Sequence, residues 1–457
     1  MALASVAASV LATLVFALGL LRVRPMIYGE AEVLFEASRI RDHLALFVDP
    51  VAGAFDYGPV PTRCQVAYPP LWSWVLSWLP RAFAERGGRL LGTASWFGGL
   101  AWVASRARAE LRGQAVLAAG VAAGVFVLAL FPVTARPDAA ALALVGVALA
   151  RCVRRAEVDA VAGGLLALAA WTKPNVLGIA GGVFLFALVQ RPRDLLRAAL
   201  GGLAVTLPVA ATLHVVSHGT CWQHFTRTLG QPLSLSVWWS HMWTRAMFVA
   251  PIATTTWLAW RARRDPGARL ALYAWGASLA WALVSLAKIG SASNYWMEPA
   301  MAAVAVAGVA PLPKLGDTGR ALLWTGAAAA SVWLTIATLG GVVEAFEREP
   351  RRAAFLSRAR EDCGARPDDV IVGDNPGTEL AVDGRIVAPG LATVYLVREG
   401  HLPVQTWVAD LRRPQVACVI EQEGLFHALP EIAATIDERF VEVETVEDWH
   451  LYRLRGR

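Results

Sequence analysis

Apolar positions run in long blocks through the first three quarters of the chain, with polar ones confined to short intervals between them. The blocks fall at about 2–21, 88–105, 114–131, 137–151, 158–172, 174–190, 195–216, 243–260, 270–287, 296–312 and 320–343, and an aromatic stretch at 68–84 precedes the second. About 20 apolar residues at 1.5 Å each cross a hydrocarbon layer of about 30 Å. In that layer a helix satisfies its own backbone amides, which an open strand cannot do. The pattern therefore predicts an all-α polytopic membrane domain with roughly eleven helices, those near 137–151 and 158–172 being short for a span. The block at 2–21 has neither a basic start nor a small-x-small cleavage site before Arg22, so it reads as an uncleaved first helix.

Beyond residue 343 the period changes. Val370–Val372, Gln415–Ile420, Phe440–Val443 and Leu451–Leu454 read as short strands, with a helix at about 422–437 between them. The expected organisation is a membrane domain at 1–343, containing a first extracytoplasmic loop at 22–87, and a small C-terminal α/β domain at 344–457.

Composition sharpens this division. Hydrophobic residues make up 56% of the 457 positions and charged ones 17%, against about a quarter charged in ordinary soluble domains. The deficit ends near Glu344. The net charge is +6, almost all of it carried by arginine, since Lys173, Lys288 and Lys314 are the only lysines. Arginines collect at alternate turns: Arg106, Arg108 and Arg112; Arg151, Arg154 and Arg155; Arg191, Arg193 and Arg197; then Arg261, Arg263, Arg264 and Arg269. Such turns face the cytoplasm, which puts the N-terminus inside and the tail outside an inner membrane. The loop at 22–87 is also arginine-rich, but loops beyond about 60 residues escape this bias. Cations spent on membrane topology leave little case for nucleic acid as a partner. Cys64, Cys152, Cys221, Cys363 and Cys418 show no CxxC pairing and no histidine at ligand spacing. No metal site is legible, and the cysteines read as buried thiols, an outer-face disulfide being the other reading.

Four polar clusters fall at the helix ends opposite the arginine turns: Tyr28-Gly29-Glu30-Ala31-Glu32, Arg136-Pro137-Asp138, Trp171-Thr172-Lys173-Pro174-Asn175, and Lys288-Ile289-Gly290 with Asn294, Tyr295 and Glu298. Ionisable groups near a bilayer are costly and mark functional sites. Plainer readings exist for each. Glu30 and Glu32 suit a solvated loop, and Asp138 suits the positive end of a helix dipole. Lys173 and Lys288 suit snorkelling at an interface. Tyr68-Pro69-Pro70-Leu71-Trp72 suits a helix start in an aromatic belt, and His218, His224 and His241 read first as loop residues.

Taken in order, these motifs resemble the GT-C superfamily of integral-membrane glycosyltransferases, nearest its ArnT and protein-mannosyltransferase-like branch of bacterial, family-39 type. The correspondence runs through the acidic Gly29-Glu30 motif, Pro69-Pro70-Leu71-Trp72, Arg136-Pro137-Asp138, Thr172-Lys173, and Lys288-x-Gly290 with Asn294-Tyr295 and Glu298. Where many members have Asp-Glu, this chain has Gly29-Glu30, so the base falls to Glu30 or Glu32. The resemblance implies inverting transfer of a hexose or pentose from a polyprenyl-phosphate donor to an extracytoplasmic glycan, lipid or protein. Glu30, with Glu32 second, would act as general base. Asp138 would orient the acceptor or hold a divalent metal. Arg136, Lys173 and Lys288 would neutralise the departing phosphate, and Asn294, Tyr295, Glu298 and Tyr68 would bind substrate. Membrane lipids are further expected partners. A transporter and a non-catalytic envelope-assembly protein are the rival classes. A transporter would carry its charges at the midplane and show inverted repeats.

Overall fold

The computed structural model describes residues 28–47, 66, 68–124, 131, 133–229, 232–243, 249–288, 291–313, 343, 347–384, 386–387, 394, 397–398, 400, 402–422 and 424–457, with positions 7, 10, 11, 14 and 336. Apart from isolated helical positions, the expected spans at 2–21 and 320–343 lie outside these residues, as do Cys64, Ile289 and Gly290. The chain divides into two compact units. The first comprises Met1–Leu21, Gly88–Thr212 and Gln231–Val342; the second comprises Arg22–Gly87, Leu213–Gly230 and Val343–Arg457. The first loop and the segment 213–230 thus belong with the tail.

The first unit is helical. Its elements include Arg112–Gly124, Asp138–Arg155, Ala160–Thr172, Gly178–Gln190, Val249–Arg261, Pro266–Ser285 and Met297–Ala307, with most of Ala84–Ser105 and Pro192–Val216. Short turns between long helices make neighbours antiparallel. One set of ends carries the arginines, and the other carries Asp138, Lys173, Lys288 and Asn294. Helix Asp138–Arg155 joins the two ends, and its 18 residues span about 27 Å. Aspartates start helices at the arginine end. Asp159 caps Ala160–Thr172 by accepting from the Ala162 amide at 2.9 Å, and Asp265 does the same for Ala268 at 2.9 Å. Gln114 ties adjoining ends together, donating to the Ala307 and Ala310 carbonyls at 3.1 and 2.9 Å.

The core is built from Trp96, Leu142, Leu149, Phe186, Leu270 and Met301 among many small residues. Glycines bring backbones together, as in helix packing within membranes. A Cβ at Gly163 would sit 1.9 Å from the Ala198 carbonyl oxygen, and one at Gly182 would sit 2.4 Å from that of Tyr273. Among the described residues, Pro192–Val216 is the one helix long and apolar enough to cross a membrane, with Ala160–Thr172 and Gly178–Gln190 as shorter apolar helices. Leu196, Leu200, Leu203 and Leu207 form an exposed stripe along it at helical spacing.

In the second unit the tail folds into a four-stranded sheet of order β1-β2-β4-β3, with β1 Val370–Gly373, β2 Val416–Glu421, β3 Phe440–Val446 and β4 Trp449–Leu454. β1 and β2 are parallel, and the other pairs are antiparallel. Val370, Val372 and Val419 face a cluster with Trp407, Ile432 and Ile436. Ile371, Cys418 and Ile420 face Phe355, Leu356 and Trp449 on the other side. Cover on both faces explains why β1 and β2 are apolar without alternation. The helix expected from 422 begins instead at Pro430. The Glu421 carboxylate accepts from the Phe426 and His427 amides at 3.1 and 3.0 Å, within the turn at 425–428 that precedes this helix.

The reading of the cysteines as unpaired thiols is corrected for two of the five. Cys363 and Cys418 form a disulfide with Cα atoms 5.9 Å apart, whereas Cys152 and Cys221 are free and buried. Cys363 follows the helix packed on one face of the sheet and Cys418 lies on that face of β2, a proximity that sequence spacing cannot reveal.

Candidate functional site

In the first unit, four of the residues singled out by sequence converge. Asp138 opens its helix directly after Pro137, which supplies the first-turn φ. Its side chain is buried. One carboxylate oxygen accepts from Lys173 Nζ and, at 2.6 Å, from Asn294 Nδ2; the other accepts from Arg136 Nε at 3.2 Å. Lys173 is 1% exposed, so its ammonium is no snorkeler but a buried counter-ion at the C-terminus of helix Ala160–Thr172. Arg136 lies over the Phe131 ring, 5.0 Å from its centroid. Two cations thus meet on this one carboxylate. Asn294 Oδ1 is buried with no hydrogen-bond partner among the described residues, which makes it an open acceptor beside Asp138. Both oxygens of Asp138 meet N–H donors, an arrangement that does not fit a divalent cation. Among the described residues no group of three or more His, Cys, Asp or Glu assembles as a metal site.

The other expected residues of this unit sit around the cluster. Tyr295 Oη accepts from Asn175 Nδ2 at 2.9 Å. Glu298 is buried and accepts from the Ile179 amide at 2.6 Å. It serves as a cap, from another helix, for Gly178–Gln190, whose own N-cap residue Leu177 offers no side-chain bond. Gly178 makes the approach possible, because a Cβ there would stand 3.1 Å from Glu298 Oε2. Lys288 is half-buried and pairs through its backbone with Leu233. Among the described residues no carboxylate meets its ammonium, and burial lowers its pKa.

Glu30, Glu32 and Tyr68 belong to the second unit. Glu30 and Glu32 lie on helix Tyr28–Arg41 and are 1% and 4% exposed, which overturns their reading as solvated loop charges. Ala31 and Phe35 of this helix pack on Ile386 and Leu380 of the tail. Tyr68 is half-buried before helix Leu71–Ser77, whose carbonyls at Leu76 and Ser77 receive Arg41 at 3.3 and 3.1 Å. Glu36, in the Phe35-Glu36-Ala37 continuation of the acidic motif, was read from sequence without a role. It is 1% exposed and receives the Ser73 hydroxyl at 2.6 Å. Burial pushes its pKa to about 8, against which the Ser73 bond acts. The available signal was a second carboxylate four positions after Glu32, on the same helical face. His224 is also more than a loop residue: it is buried and its Nδ1 accepts from the Val66 amide at 3.1 Å.

No protein-family model matches the sequence, and no curated protein resembles it significantly. Solved structures do. The crystal structure of ArnT from Cupriavidus metallidurans bound to undecaprenyl phosphate superposes with a TM-score of 0.64 at 14% identity, covering 97% of this chain and 96% of that one. ArnT from the same organism in the apo state gives 0.63 at 16%, with the same coverage. The likeness spans the helical unit and the tail together. This chain shares the fold of these ArnT structures.

Proposed function

We propose that this protein is an inner-membrane glycosyltransferase that moves a hexose or pentose from a polyprenyl-phosphate donor to a glycan, lipid or protein acceptor outside the cytoplasm. The observation that carries the proposal is end-to-end overlap with a fold whose solved example, ArnT, was crystallised with undecaprenyl phosphate. The Asp138 cluster supports it independently. Arg136 and Lys173 converge on Asp138, and among the described residues no carboxylate meets the Lys288 ammonium. A lipid-linked phosphate is an anion that such cations suit. The Cys363–Cys418 disulfide supports an oxidising location for the tail.

In the proposed reaction the acceptor hydroxyl attacks the anomeric carbon from the face opposite the phosphate. The new C–O bond forms as the bond to the phosphate oxygen breaks, and polyprenyl phosphate leaves with the electron pair. A carboxylate of helix Tyr28–Arg41 takes the acceptor proton, Glu30 first and Glu32 second, an effect worth about 10²- to 10⁴-fold. Lys173, Arg136 and Lys288 stabilise the charge that builds on the phosphate, and the open Asn294 Oδ1 receives a substrate hydroxyl. Asp138 holds the cations in place.

The test is a transfer assay on the full-length protein in proteoliposomes, with a polyprenyl-phosphate sugar as donor and release of polyprenyl phosphate as readout. Glu30→Gln is expected to abolish release while insertion and thermal stability stay intact. Sugar flux across the vesicle without a covalent product would replace the proposal with transport.

A further inference from the structure

At the arginine end of the first unit, two adjoining cavities lie about 25 Å along helix Asp138–Arg155 from the Asp138 cluster. The larger, about 520 Å³, is lined by Arg106, Arg108, Arg112, Arg154 and Asp265. The smaller, about 380 Å³, continues past Arg106 and Arg154 to Trp102, Val147, Val161 and Leu165. The two cavities share Arg106 and Arg154.

The charge of this region is not internally balanced. Arg108 is paired with Asp265 at 2.5 Å, and Arg151 and Arg155 with Asp159 at 2.5 and 3.1 Å. Among the described residues Arg106, Arg112 and Arg154 have no carboxylate partner. Arg106 is held instead over the Trp102 ring, 4.1 Å from its centroid, which fixes its plane and leaves its N–H donors for another group. Positive turns alone would orient a membrane protein; they would not require a recess with an apolar extension. Trp102 and Val161, at the mouth of the smaller cavity, are 41% and 54% exposed. A basic recess that opens into an apolar groove at the surface matches a molecule with an anionic head and a hydrocarbon tail.

We propose that the paired cavities bind an anionic phospholipid of the surrounding bilayer. Its phosphate sits between Arg106 and Arg154, Arg112 receives further headgroup oxygens, and one acyl chain lies along Trp102, Val161 and Leu165. The site is separate from the Asp138 cluster and does not rest on the glycosyltransferase reading.

The test is a thermal-unfolding titration of the full-length protein in uncharged detergent, with phosphatidylglycerol, phosphatidylcholine or inorganic phosphate added. Phosphatidylglycerol is expected to raise Tm saturably, and the other two to leave it unmoved. An Arg106→Gln/Arg154→Gln double variant is expected to need at least tenfold more phosphatidylglycerol. Arg263→Gln, at the same end but outside both cavities, is expected to need no more than wild type. Val161→Glu, a surface substitution that blocks the groove, gives a second readout with the same expected loss should the double variant fold poorly. Retention of wild-type affinity in both cavity variants would overturn the proposal, as would an equal loss in Arg263→Gln. An equal shift from inorganic phosphate would also overturn it, by assigning the recess to a free anion.

Discussion

Asp138 carries three nitrogen donors on two oxygens in a place water does not reach. Removing its charge would break the buried ion pair with Lys173, which costs about 3–5 kcal/mol. Asp138→Asn is therefore expected to lower Tm by several degrees and to reduce transfer at least a hundredfold, measured by thermal unfolding and by the donor-release assay. Loss of activity at unchanged Tm would mean that the pair with Asp138 adds no stability. Glu36 acts differently. Its pKa is raised from 4.5 to about 8 by burial, so between these values the folded chain holds a proton that the unfolded chain releases. This stability is fully present below about pH 4.5 and is lost as pH rises from there through 8, by on the order of 5 kcal/mol. Glu36→Gln, which keeps the contact with Ser73 and cannot ionise, is expected to flatten the Tm-against-pH curve and to be the more stable form at pH 8. A wild-type curve with no slope in that window would show Glu36 ionised throughout. Asp138, Lys173 and Asn294 were legible in sequence because charges and amides stand out against apolar helices. Glu36 was not, since its burial depends on Ser73, 37 positions away.

At the level of elements, sequence signals worked where the cause is local. Proline before Asp138 marks a helix start that the structure keeps. The strands at 370, 416, 440 and 449 follow from β-branched and aromatic runs. Local signals failed where a distant group decides. The carboxylate of Glu421 delays a helix to Pro430, and Glu298 caps a helix that has no cap of its own. Glycines show the same limit. Gly182 looks like an ordinary helix-weakening residue until the Tyr273 carbonyl is found against it. Gly182→Leu is expected to separate helices Gly178–Gln190 and Pro266–Ser285. The outcome should be poor yield of folded protein and a markedly lower Tm in detergent, whereas the same change at Gly181, which has open space around it, should be tolerated. Equal tolerance at both positions would mean that the helix seam is loose.

For the whole molecule, the sequence divided the chain at residue 343, whereas the compact units also assign 22–87 and 213–230 to the tail's side of the division. Hydropathy registers what lipid would accept, not which polar segments pack together, so that assembly had no signature. The disulfide was hidden for the same reason. Closing a separation of 55 residues restrains the unfolded chain by about 4 kcal/mol in the loop-entropy account. Cys363→Ser is expected to lower the thermal midpoint of the tail, and reductant should do the same to wild type but nothing further to the variant. A variant that melts with wild type would mean that the bond adds no stability. The covalent link has one more effect. It fastens the helix at 347–362 directly to a central strand of the sheet. A single protease cut anywhere between 364 and 417 would therefore leave both fragments travelling as one species on a gel until thiol is added. Loops in that interval are free to diverge in length without parting the sheet from that helix.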